Sequence, residues 1–290
     1  MVIVIVLKLS TMKAIKTLLI LCAAFCLVTS CKKEVDLTLV QQTVLENVDI
    51  RQIEVSDAWQ VTMVADSSTF VELEYSAYLE PKLDVRMDGT QLEIGFSGNV
   101  YPVINSVFRA RVHTNKIASI ELADAAQLVC VGQFFATSDT LYVKLDDASI
   151  CSGLNYSGHV GKISIENASQ FLDFNLSGYN CEVSASEASS CKGIFDMSFH
   201  LVANLSEASH LITLGGAAPY GMIKLQDASL LNMAQTQVGE MHVDLTGASE
   251  ATVDVSNRIE GTLTEASTLY YKGNPQIGVD CSDGSQIIPF

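Results

Sequence analysis

Glu187-Ala188-Ser189, Glu207-Ala208-Ser209 and Asp227-Ala228-Ser229 are three copies of one triplet, set twenty residues apart. Upstream the series continues as Asn167-Ala168-Ser169, Asp147-Ala148-Ser149 and Asp124-Ala125-Ala126. Downstream it runs through Gly247-Ala248-Ser249 and Glu265-Ala266-Ser267 to a degenerate Asp283-Gly284-Ser285. The spacings between middle residues are 23, 20, 20, 20, 20, 20, 18 and 18. A fixed period of this length marks a stacked repeat architecture.

Aligned on the triplet, the chain falls into columns. Three positions before the middle residue stand Leu122, Leu145, Ile165, Ala185, Leu205, Leu225, Leu245, Leu263 and Cys281. Five before it stand Ile120, Val143, Ile163, Val183, Ala203, Ile223, Val243, Gly261 and Val279. The residues between these columns are mostly polar, as at Lys144, Ser164, Asn204 and Asp244. Such period-two alternation describes a half-buried strand. Three positions after the middle residue a second apolar column contains Leu128, Cys151, Phe171, Cys191, Leu211, Leu231, Ala251, Leu269 and Ile287. The triplet is therefore a corner between two strands, with the small Ala expected to turn inward and the Ser hydroxyl to bond the turn backbone.

The fold expected is all-β, a right-handed parallel β-helix whose rungs stack at roughly 4.8 Å. A β-sandwich explains the alternation but not the constant period. Four segments are read: residues 1–30 as a signal peptide, 31–40 as a tether, 41–112 as strands that start and cap the solenoid, and 113–290 as the repetitive solenoid. Within 41–112, Val61-Thr62-Met63-Val64 and Leu92-Glu93-Ile94 alternate, and Asp57-Ala58-Trp59 reads as a decayed corner.

Ile53 to Val61, Met87 to Ile94, Ile120 to Leu128, the triplets and Tyr271-Lys272-Gly273-Asn274-Pro275 together resemble the auto-transporter adhesin, head GIN domain, family of Bacteroidetes lipoproteins. The resemblance covers roughly residues 45 to 290. It implies a β-helical fold and a cell-envelope location. The family's triplets usually read Ser-Gly-Ala or Ser-Gly-Ser; this chain mostly puts Asp or Glu where that Gly would be and retains Gly only at Gly247.

Export is read from the beginning of the chain. Lys13 and Lys16 precede an apolar run from Leu18 to Val28, a signal-peptide pattern too short to span a bilayer. Met12, directly before the basic residues, is the expected start. The run ends in Leu27-Val28-Thr29-Ser30-Cys31, a lipobox in form, which makes Cys31 the expected site of diacylglycerol attachment. The only expected link to a membrane is this anchor, at the outer membrane, with the chain either surface-exposed or facing the periplasm.

The chain has 17 basic and 33 acidic residues, and the first thirty carry Lys8, Lys13 and Lys16 with no acid. The remainder therefore holds 14 basic and 33 acidic residues, a net charge of −19. That charge disfavours phosphate backbones, so no nucleic-acid partner is expected.

Asp124, Asp147, Glu187, Glu207, Asp227, Glu265 and Asp283 form an acidic column, read first as a solvated edge and second as calcium ligands. Cys130, Cys151, Cys181, Cys191 and Cys281 are read as buried free thiols. Cys151 and Cys191 lie two rungs apart, too far for a disulfide. His113, His159, His200, His210 and His242 show no metal-ligand spacing, and a Ser repeated in every rung is structural. No cofactor is expected. The first functional reading is a non-catalytic adhesion or ligand-binding module for a glycan or protein. A periplasm-facing scaffold or sensor component is the alternative. A polysaccharide-acting enzyme ranks third, because the repeats lack a basic cluster beside their carboxylates.

Overall fold

In the computed structural model, which describes residues 35–135 and 140–290, each repeat is one turn of a parallel β-solenoid. There are about eight turns, with 65% of the described residues in strands and 2% in helix. The parallel register places the expected columns in line. Val183, Ala203, Ile223, Val243 and Gly261 are successive Cα partners, and so are Phe171, Cys191, Leu211, Leu231, Ala251 and Leu269. A β-sandwich has no such ladder.

The corners differ from the sequence expectation in one respect. Ala188 is exposed and Ser189 is buried, and the same holds at the triplets ending in Ser149, Ser169, Ser209, Ser229, Ser249 and Ser267. The reason is backbone conformation. Glu187 and Ala188 have φ of 55° and 60°, and the N–H of Ser189 bonds the carbonyl of Ser186 at 3.3 Å. Two consecutive left-handed residues closed by such a bond have the geometry of a type I′ turn, and its central residues point away from the core. The Ser is the first residue back in the strand and so faces inward. Part of the expectation survives: the hydroxyls of Ser229, Ser249 and Ser267 each bond the turn carbonyl three residues back at 2.7 Å.

Left-handed φ costs a non-glycine residue about 1–2 kcal/mol. Two effects offset it. The Ala N–H of each corner bonds the carbonyl of the next corner's first residue, as from Ala188 to Glu207 at 2.9 Å and Ala208 to Asp227 at 2.9 Å. Each turn also buries several side chains completely, for example Cys191, Phe195, Leu201, Ala203 and Leu205. The larger of these contribute roughly 1.5–3 kcal/mol apiece, enough to exceed the strain.

Departures from the regular turn have local causes. Phe171 and Phe174 are three residues apart yet both buried. A register shift between Leu172 and Phe174, with Asp173 at φ 53°, turns Phe174 back to the interior. There its ring stacks on Phe171 at 4.2 Å and meets Phe195 edge-on at 5.0 Å.

The first strands are β1 (Leu39–Val44), β2 (Gln52–Val55), β3 (Gln60–Val64), β4 (Phe70–Ser76), β5 (Leu83–Asp88), β6 (Gln91–Phe96), β7 (Phe108–His113), β8 (Ser119–Leu122) and β9 (Gln127–Val131). Asp57 and Ala58 are both left-handed at φ 57°, and Ala58 N–H bonds the Asp124 carbonyl at 2.8 Å, so this pair is a genuine corner of the stack. Strand order is not sequence order here. β3 lies between β7 and β9, and β2 between β6 and β8. Outside them, β4 runs antiparallel to β7, β1 antiparallel to β4, and β5 antiparallel to β6. Trp59 is fully buried beneath Phe96 and Phe108, with ring centroids at 5.5 and 5.9 Å.

Candidate functional site

Five strands, β1, β4, β7, β3 and β9, present one continuous outer face. Alternation along each strand decides what that face carries. In β7 Ala110 and Val112 are buried, so Arg109 and Arg111 project outward. In β4 Val71, Leu73 and Tyr75 are buried and Glu72 and Glu74 project. In β3 and β9 the outward residues are Gln60, Thr62, Gln127 and Val129. Register then sets these residues in two cross-strand rows. One runs Gln41, Glu74, Arg109, Gln60, Gln127; the other runs Thr43, Glu72, Arg111, Thr62, Val129.

The first row is a connected polar chain. Gln41 Nε2 donates to Glu74 Oε1 at 2.9 Å, Arg109 Nη1 to Glu74 Oε2 at 3.2 Å, and Arg109 Nε to Gln60 Oε1 at 3.2 Å. The Gln41 amide and then the Arg109 guanidinium hold the Glu74 carboxyl below its ordinary pKa, against the opposing effect of partial burial. In the second row Arg111 lies 3.8 Å from Glu72. His113 stacks on Phe70 at 4.0 Å and stands 3.3 Å from Asp66 and 3.5 Å from Glu72. The rows border a hollow of about 760 Å³ that is open to solvent. Its lining of amides, carboxylates and guanidinium groups offers paired donors and acceptors, chemistry that suits a hydroxylated or peptide ligand.

Apart from His113, weighed only as a metal ligand, and Thr62, quoted only for its strand, the sequence reading named none of these residues, because it attended to the repeats. The available signal was Phe108-Arg109-Ala110-Arg111-Val112, a strict alternation with Arg at both outward positions.

The acidic column is present as a line along one corner. Asp124, Asp147, Glu187, Glu207, Asp227, Glu265 and Asp283 are all exposed. Among the described residues no group of three or more His, Cys, Asp or Glu side chains is arranged to hold a metal ion. The type I′ turns direct successive carboxylates into solvent rather than toward a common point.

The five cysteines among the described residues are free. Cys130, Cys151, Cys181 and Cys191 are buried, as expected, but Cys281 is exposed. Its column is open on one side, because among the described residues the strand Gln276–Cys281 pairs only with Glu250–Leu263. Cys130 and Cys151 occupy adjoining inward positions on neighbouring rungs. A hydrogen bond that the Cys130 thiol donates to Cys151, reinforced by burial, pushes the Cys130 thiol well up, and burial does the same to Cys181 and Cys191. Cys31 lies outside the described residues.

Comparison with curated proteins gives no match. Among solved structures, two crystal structures of adhesins described as putative resemble this chain. One is from Parabacteroides merdae (12% identity, 87% of this chain and 96% of that chain, TM-score 0.66), the other from Parabacteroides distasonis (13%, 88% and 98%, 0.66). A "putative lipid binding protein" from Parabacteroides distasonis is similar at 12% identity over 88% of this chain and 98% of its own, with a TM-score of 0.61. At these identities the likeness is one of fold. The family model described as "Putative auto-transporter adhesin, head GIN domain" matches residues 49–275, and the chain belongs to that family.

Proposed function

We propose that this chain is a lipid-anchored cell-envelope protein whose solenoid is a non-catalytic adhesion module, with the cleft on the outer face of β1, β4, β7, β3 and β9 as a ligand-facing surface. The anchor is a diacylglycerol thioether on Cys31, at the outer membrane. One observation carries the adhesion reading: the outer face of these strands sets amides, carboxylates and guanidinium groups in two cross-strand rows along an open hollow, which offers paired donors and acceptors to a ligand. Family membership supports the adhesion role, and the regularity of the surface suits a repetitive or extended ligand.

The test is protease shaving and antibody labelling of intact against permeabilised cells, with Cys31→Ala alongside. Labelling of intact cells, and release of the Cys31→Ala protein from the membrane fraction, are the expected results. Labelling only after permeabilisation would overturn surface adhesion in favour of a periplasm-facing scaffold. Membrane retention of Cys31→Ala would overturn the anchor.

A further inference from the structure

A second hollow lies on the repetitive part of the stack, on the outer side of the sheet that contains Glu182 and Val202. Register irregularities leave Tyr179 outside the ladder between Gly178 and Asn180, and Phe199 outside it between Asp196 and His200. Both rings are thereby thrown outward. Tyr179 stacks on Phe199 at 5.1 Å and 19°, and Phe199 meets Tyr220 edge-on at 5.4 Å. Tyr179 remains 51% exposed and Tyr220 41%, so the core does not account for them. Beside Tyr179 the surface sinks into a hollow of about 430 Å³, whose lining includes His159, Gly161, Asn180, Glu182 and His200.

The lining selects a ligand class. An aromatic ring backed by a second ring offers a rigid apolar surface at little entropic cost. The planar carboxylate of Glu182, the amide of Asn180 and the two imidazoles supply donors and acceptors at its border. That combination, one flat apolar contact with several polar groups around it, matches a pyranose, whose ring presents C–H groups on its faces and hydroxyls on its rim. Among the described residues neither Lys nor Arg lines the hollow, and the chain's net charge is −16, so uronates and sulfated sugars are disfavoured. A protein partner is less well matched, because the polar groups of the hollow would be desolvated while Tyr179 supplies the one large apolar ring of its lining. We propose that this hollow is a saccharide subsite for a neutral hexopyranose chain, with Tyr179 as its stacking platform. The proposal rests on the ligand-binding reading above and gives it a chemical class.

The test is saturation-transfer NMR on the full chain in a detergent without a sugar headgroup. The probes are cellohexaose, maltohexaose, mannohexaose and chitohexaose, with polygalacturonate as the acidic comparison. Transfer to at least one neutral hexasaccharide is expected. Tyr179→Ala should weaken it about tenfold or more, and Tyr179→Phe should preserve it. An unchanged circular dichroism spectrum checks the fold of both variants. The proposal is overturned if no neutral hexasaccharide receives transfer, if polygalacturonate is preferred, or if Tyr179→Ala binds as the parent does. Binding that survives Tyr179→Ala and disappears in Arg109→Ala would move the saccharide to the cleft, sinking this proposal while leaving the adhesion reading intact. Failure of that reading is registered separately, by the labelling of intact cells.

Discussion

Gly193 and Phe174 are Cα partners on adjacent rungs, and their fit can be tested as a coupled pair. A methyl carbon built on Gly193 would fall 2.4, 2.5 and 2.6 Å from three atoms of the Phe174 ring. The ring has little freedom to retreat, since Phe171 lies against it at 4.2 Å and Phe195 at 5.0 Å. Gly193→Ala should therefore destabilise by about 1–3 kcal/mol through overpacking. Phe174→Ala removes a ring that is only 2% exposed and should cost about 3–5 kcal/mol. Added independently, the two changes would cost about 4–8 kcal/mol. In the double variant the clash is gone and the new methyl occupies part of the vacated space. Its cost should fall short of the sum by about 1–3 kcal/mol. Guanidinium unfolding followed by circular dichroism measures the total. Hydrogen exchange across Gln170–Ala185 and Ser190–Leu205 gives the local value, which matters because a stacked repeat can open in parts. Additivity within about 0.5 kcal/mol, or a neutral Gly193→Ala, would refute the packing described here.

Other expectations follow from the corners, the thiols and the cleft. At the corner, Glu207→Gly should stabilise by roughly 0.5–1 kcal/mol, because glycine adopts the φ of 54° without strain. Gly247→Glu should destabilise, since a Cβ there would approach the Asp227 amide nitrogen to 2.7 Å; thermal melts of both variants decide the pair. Iodoacetamide at mildly alkaline pH should modify Cys281 in the folded chain and leave Cys130, Cys151, Cys181 and Cys191 unmodified until denaturant is added, as peptide mass spectrometry would show. Glu74 has a folded pKa below its unfolded one, so its contribution is present above the unfolded value and is lost as pH falls through the folded value. Glu74→Gln should accordingly cost a few tenths to about 1 kcal/mol at neutral pH and nothing near pH 2, and an equal deficit at both would contradict the charged pairing.

The solenoid was legible because its period is carried by the residues that stack. Leu205, Leu225 and Leu245 recur at one interval because each lies over the last, and a parallel ladder repeats every position of a turn in register. The decayed corner at Asp57-Ala58 was legible for the same reason. The orientation within the corner was not. Ala and Ser are both small, and only the pair of left-handed residues determines that Ser189 turns in and Ala188 out. Cys281 was misjudged because a column position implies burial only when a rung lies on both sides.

The two candidate sites mark the limit more sharply. Alternation within Phe108-Arg109-Ala110-Arg111-Val112 announces two outward arginines, but not their neighbours. Glu74, Gln60 and Gln127 join Arg109 in one row because β7 pairs with β4 on one side and β3 on the other, out of chain order. The outward turn of Tyr179 and Phe199 arises from irregularities in pairing between rungs. By itself the sequence determined the repeat, the strands and the composition of the core, since burial of apolar surface acts through local periodicity. Only the tertiary structure decided which polar side chains meet, because strand order and register depend on non-local pairing between segments far apart in the chain.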